Sequence, residues 1–197
     1  ATAVAYNKIS WNPTYQVINN LDYEVTQFLQ KDGFKPDDLV ILWVGANDYL
    51  AYGWNTEQDA GRSLADATRS LIDEYPHHHA LIQAYYDRWH EMLLGPLPEG
   101  VAILTALHQA NMPLFGLTNW SAETFPYARA HYPFLQIFRD IVVSGEVKLI
   151  KPDAAIYHAS LDQVRAHLPD IQAREVVFID DVAGKIEAAV TLGWQGI

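Results

Sequence analysis

Three short stretches place reactive side chains at the end of an apolar run. Leu114-Phe115-Gly116-Leu117 opens into Thr118-Asn119-Trp120-Ser121, Leu149-Ile150 into Lys151-Pro152-Asp153, and Val176 to Ile179 into Asp180-Asp181. A hydroxyl and an ammonium bind anionic oxygens, and carboxylates are the oxygen donors that hard cations such as Mg2+ take. The three ends brought to one edge would therefore make a site for a small anion, such as phosphate, and a divalent cation held by Asp180 and Asp181. The acid pair has a plainer reading too, with Asp181 capping the helix that follows. His77-His78-His79 is conspicuous, but adjacent residues on a helix point in different directions, so a solvated loop or helix start is expected there. With no cysteine in the chain, thiolate nucleophiles, zinc-thiolate sites and disulfides are excluded together.

Continuous apolar runs without alternation are how strands buried on both faces look, and in open α/β sheets ligands bind beyond the carboxyl ends of such strands. From Gly95 onward the pattern alternates regularly. It predicts helices over 99–110, 122–132, 153–167 and 183–192, strands over 113–117, 140–143 and 175–179, and a last short strand near Gln195. That order predicts a three-layer α/β sandwich with a Rossmann-like parallel sheet.

Upstream, Leu39 to Val44 predicts another buried strand, ending in Gly45-Ala46-Asn47-Asp48, and a helix is expected from Asn20 to Asp32-Gly33. Two helical stretches separated by Tyr75-Pro76, with no strand between them, predict a small helical cap. The first starts at Ser63 or Asp59 and carries Leu64, Ala67, Leu71 and Ile72. The second runs from Leu81 to Leu94, with Leu81, Ala84, Tyr85, Trp89 and Leu93 on one face. Gly95-Pro96-Leu97-Pro98-Glu99-Gly100 reads as a turn-rich hinge.

The 197 residues suffice for one sizeable core with a subdomain. A net charge of −11 opposes nucleic acid and anionic membrane surfaces. No apolar run reaches the length of a membrane span, and no basic region precedes an apolar block near Ala1, so a cytoplasmic location is expected. A monomer or a homodimer is expected.

Residues from about 56 to 197 resemble the haloacid dehalogenase-like hydrolases with a small helical cap. The resemblance is carried by Gly116-Leu117-Thr118-Asn119-Trp120-Ser121, Lys151-Pro152-Asp153 and Phe178-Ile179-Asp180-Asp181, with Gly145-Glu146-Val147 and Ile156-Tyr157 around the lysine. It implies that Thr118 binds phosphoryl or carboxylate oxygens, that Lys151 stabilises a charged intermediate, and that Asp180 holds Mg2+ with support from Asp181. It also implies an amino-terminal Asp as covalent nucleophile. When Gly45 is set on that motif's glycine, Trp43 falls at the nucleophile position, and an indole cannot attack. Residues 1 to about 59 resemble instead the SGNH or GDSL-type esterases, through Gly45-Ala46-Asn47-Asp48 and the following Tyr49-Leu50-Ala51-Tyr52-Gly53. That resemblance implies an oxyanion-binding role for Asn47 beside Gly45. No Gly-Asp-Ser block accompanies it.

Two partial enzymes thus meet near Trp54 to Ala60, which implies a recombined or engineered chimera. Its expected parts are an SGNH-like fragment over 1–57, a cap over 58–94 and a haloacid dehalogenase-like core over 95–197. The function expected first is a scaffold with an incomplete catalytic set, retaining an anion pocket that requires no cofactor but has a place for Mg2+. The alternatives are a phosphatase or dehalogenase that recruits Asp48 as nucleophile, and, behind it, an esterase acting through Asn47.

Overall fold

The computed structural model describes residues 40–43, 60–93 and 95–197. The helix expected from Asn20, the Gly45-Ala46-Asn47-Asp48 turn and the Trp43 side chain lie outside what is described.

Five strands form one parallel sheet: β1 (Val40–Trp43), β2 (Leu114–Thr118), β3 (Asp140–Val143), β4 (Val176–Ile179) and β5 (Gln195–Gly196). Their spatial order is β3-β2-β1-β4-β5. Thus β1 lies between the two strands that carry the hydroxyl and the acid pair. Its Trp43 is in register with Gly116 on one side and with Ile179 on the other. An unbroken apolar tetrapeptide is of the kind that central strands of parallel sheets carry.

The helices are α1 (Leu64–Glu74), α2 (His79–Asp87), α3 (Pro98–Gln109), α4 (Phe125–His131), the short α5 (Ser144–Val147), α6 (Ala154–His167) and α7 (Ala183–Thr191). Alternate residues of each strand point to opposite layers. Phe115, Leu117, Val142, Val176 and Phe178 pack with Ile156, Tyr157, Leu161 and Val164 of α6 and Ala189 of α7. Leu114, Val177 and Ile179 face the other way, onto Leu104 and Leu107 of α3. Two apolar faces covered by helices make the three-layer sandwich that the alternation predicts. The helices and strands read from the sequence after Gly95 have bounds within about three residues of those observed, and the short α5 is an addition.

Helices α1 and α2 form a separate small cluster around Ala67, Ile82 and Tyr86. Ser63, rather than Asp59, caps α1: its hydroxyl oxygen accepts from the Asp66 amide at 3.0 Å. Pro76 ends α1 and begins a single 3-10 turn, Pro76–His78, so the three histidines are exposed at a helix start, as expected. The expected long second helix is shorter. It stops at Asp87 and is followed by a 3-10 turn, Trp89–Met92. Its buried face also differs, since Ile82 and Tyr86 are inside and Leu81 is 71% exposed. The 95–100 segment is not a hinge throughout, because α3 already starts at Pro98, where a missing amide proton costs nothing.

One position after β3 tolerates no side chain. A Cβ on Gly145 would press into the backbone nitrogen of Ala122 and lie 2.8 Å from the Trp120 carbonyl oxygen. Gly145→Ala should destabilise the protein by about 1–3 kcal/mol or more, since backbone rather than a flexible side chain must move. Gly184, with open space around it in the first turn of α7, is the control. Gly184→Ala should be neutral or stabilising by up to about 1 kcal/mol. Urea denaturation of both variants measures the contrast.

Candidate functional site

The three expected stretches converge at the carboxyl edge of the sheet. β2 ends at Thr118 and β4 at Ile179, followed by Asp180. Lys151 arrives on the loop before α6, with a cis peptide bond to Pro152. Asn119 holds that loop in place. Its Oδ1 accepts from the Lys151 amide at 2.9 Å, and its Nδ2 donates to the Lys151 carbonyl at 3.1 Å. The backbone of Lys151 is therefore pinned to the residue after Thr118.

The Lys151 ammonium donates to the Leu117 carbonyl at 3.1 Å and to Asp180 Oδ2 at 2.9 Å. Neither side chain of the pair is exposed. This ammonium thus joins the end of β2 to the residue that follows β4, the two strands that flank β1. The other Asp180 oxygen, Oδ1, accepts from the Val182 amide at 2.9 Å and turns the chain into α7. The plainer reading of the acid pair is corrected here. Val182, not Asp181, occupies the cap position of α7, and the preceding Asp180 satisfies its amide. Asp181 is half-buried one position further on.

Thr118 Oγ1 is buried and has no hydrogen-bond partner among the described residues. A buried hydroxyl without a partner is costly; Ser160 Oγ of α6 is in the same state. Ser121 serves the turn instead, its hydroxyl accepting from the Glu123 amide at 3.2 Å. Among the described residues the buried charged side chains are Lys151, Asp180 and Lys185, the last in the first turn of α7. Lys185 carries no signal in the apolar pattern. Burial gives it away, as does its spacing of four from buried Ala189 on the same helix face.

Tyr157 of α6 donates to the Lys185 carbonyl at 2.7 Å. Burial, and then the negative charge of Asp180, hold its phenol well above the ordinary tyrosine range.

The cap meets the core beside the same edge. The Leu64 amide at the start of α1 donates to Glu123 Oε1 at 2.8 Å, and Trp89 packs edge-on against Tyr127 of α4 at 5.3 Å. Gly45, Asn47 and Asp48 lie outside the described residues. Asp180 and Asp181 are oxygen donors of the kind Mg2+ takes, although among the described residues no three acidic or imidazole groups converge. Mg2+ is commonly held by one or two carboxylates, with waters and a ligand anion completing its shell, so the pair fits it in kind.

Removing one partner of a buried pair strands the other. Lys151→Ala or Asp180→Ala should each cost about 3–5 kcal/mol, and Lys151→Met with Asp180→Leu together should cost much less than the sum. A double-mutant cycle in urea measures it. Tyr157 gives a pH signature. Its folded state holds the phenol proton more tightly than the unfolded chain does, so its stabilisation is full below about pH 10 and is lost as pH rises further. Tyr157→Phe should flatten the alkaline fall in Tm, followed by thermal melts between about pH 8 and 11.

Comparison with known proteins agrees with this fold. A fold match to a predicted haloacid dehalogenase-like hydrolase from Porphyromonas gingivalis has a TM-score of 0.60 at 18% identity, over 81% of this chain and 89% of that one. A variant haloacid dehalogenase-family enzyme from Bacteroides thetaiotaomicron, solved in complex with magnesium and inorganic phosphate, matches with a TM-score of 0.61 at 19% identity, over 81% and 91%. At such identities the likeness concerns fold. A different kind of match is 81% identity over 74 residues to the phosphatidylcholine-sterol acyltransferase of Aeromonas hydrophila, which takes in 36% of this chain but only 22% of that protein. The sequence model of the haloacid dehalogenase-like hydrolases matches residues 55–197. The chain belongs to that family.

Proposed function

We propose that this protein is a hybrid of two sources whose carboxyl-edge pocket binds a small anion, phosphate or a carboxylate, without covalent turnover. The observation that carries this reading is the slot between β2 and β4. The strand there, Val40–Trp43, brings no carboxylate into register with Gly116 or Ile179, while the Lys151 ammonium is bonded to Asp180 just past β4. Covalent hydrolysis at this edge needs an ionised carboxylate in line with the bound anion. Binding needs only the hydroxyl of Thr118, the ammonium and backbone amides, all of which lie at the edge.

The hybrid origin is supported by the 81% identity to part of an acyltransferase in a chain whose family match begins at residue 55. On this reading residues 1–57 are the SGNH-like fragment, 58–94 the cap and 95–197 the core. Mg2+ is an optional partner, held by Asp180 and Asp181, and when bound it would neutralise anion charge. That a fold relative is solved with magnesium and phosphate supports this choice of ligands. The same relative, with the family membership, favours a second reading, a hydrolase using Asp48 as a substitute nucleophile. An esterase relying on Gly45 and Asn47 ranks third, for want of a serine block.

Release of nitrophenol from nitrophenyl phosphate and nitrophenyl acetate, with and without Mg2+, separates the readings. The expected outcome is no release above background from either ester, alongside a calorimetric signal for inorganic phosphate. Mg2+-dependent phosphate release that Asp48→Ala abolishes would establish the hydrolase and end the binding-only reading.

A further inference from the structure

We propose that Ser144 is a positioning residue of the pocket, which sets Thr118 and Lys151 in one fixed arrangement by bonding the chain beside each. The inference rests on the reading of this edge as an anion pocket. The last residue of β3, Val143, is in register with Thr118, so the exit of β3 lies beside the exit of β2. There Ser144 is fully buried. Its hydroxyl oxygen accepts from the Trp120 amide at 2.9 Å, and the same hydroxyl donates to the Trp120 carbonyl at 3.3 Å. The Gly145 amide donates to that carbonyl at 3.0 Å. The Trp120 indole is held as well, since it donates to Thr124 Oγ1 at 2.9 Å and packs edge-on against Phe125. The second residue after Thr118 is thus fixed through its backbone and its side chain.

Ser144 also reaches the other arm of the site. Its carbonyl accepts at 3.3 Å from the amide of Leu149, two residues before Lys151, and Lys148, in the left-handed region at φ 57°, ends α5 between them. Asn119 closes the circuit with its two bonds to the Lys151 backbone. The bonds therefore run in a ring, from Asn119 to Lys151, from Leu149 to Ser144, and from Ser144 to Trp120, the neighbour of Asn119. Loss of the Ser144 hydroxyl would leave the Trp120 carbonyl its Gly145 bond but would take away the acceptor of the Trp120 amide. The turn that sets Thr118 against Lys151 would then lose a fixed point. A small anion is bound well by donors that are held in place before it arrives. The same ring explains the demand for glycine at 145, since a Cβ there would press on the Trp120 carbonyl.

Calorimetric titration of inorganic phosphate into the full chain, in Mg2+, tests the proposal on wild type, Ser144→Ala and Val164→Ala. Val164 is buried near the carboxyl end of α6, so its truncation lowers stability without touching the ring and serves as the control. At a temperature where circular dichroism shows all three folded, Ser144→Ala should lose about tenfold or more in phosphate affinity, while Val164→Ala stays within about twofold of wild type. A merely structural role for Ser144 would not separate the two variants. A loss in Ser144→Ala no larger than that in Val164→Ala would overturn the positioning role and leave the pocket reading standing, because wild type still binds. Absence of phosphate binding by wild type would defeat the pocket reading and this inference with it. Should Ser144→Ala fail to fold, Ser144→Cys, close in shape but a far weaker donor and acceptor, takes its place under the same criteria.

Discussion

The buried contact between Lys151 and Asp180 is the constraint on which the carboxyl edge depends. Two charges withdrawn from water cost several kcal/mol each unless geometry and further hydrogen bonds compensate. Compensation comes from two segments: the exit of β2, which supplies the Leu117 carbonyl and the paired Asn119 bonds that hold the lysine backbone, and the start of α7, which supplies the Val182 amide. Each of these segments is thereby obliged to end where it does. The pair does more than join two side chains, because it ties the end of β2 to the exit of β4.

Much of this edge is legible in the sequence because a buried parallel strand and its exit have a simple signature. Leu114 to Leu117 and Val176 to Ile179 carry no polar residue, so the change of character at Thr118 and Asp180 marks the strand ends. What is not legible depends on phase and partnership. In α2 the apolar residues Leu81, Ile82, Tyr85 and Tyr86 come in adjacent pairs. A one-residue choice turns the helix by about 100°, and which pair member is buried is decided only by contact with α1. Asn119 looks like an ordinary loop residue until Lys151 is beside it. Lys185 looks like a solvated helix residue, since nothing in a 3.6-residue period distinguishes a buried lysine from one facing water. The choice between Asp180 and Asp181 as the helix-starting acid likewise turns on where the strand ends.

Family membership and chemistry place separate demands on the central strand. The sheet asks of its central strand only that it be apolar on both faces and able to pair in parallel on both sides, and Val40–Trp43 satisfies that demand. The reaction of the family asks for a carboxylate at the end of that strand, a demand the sheet does not feel. A fold can thus be completed by a segment that leaves its usual chemistry behind, since function resides in the site rather than in the architecture.

The strand order has a further consequence for how the chain comes together. β1 is the link between the β3-β2 pair and the β4-β5 pair, and it is drawn from a part of the chain more than seventy residues before β2. Until it arrives, both inner strands present unpaired edges, which are templates for any extended peptide of suitable pattern. The slot is therefore a natural point of complementation. A chain cut between β1 and the cap would present a groove that a separate strand, from the same molecule or another copy, completes by backbone pairing.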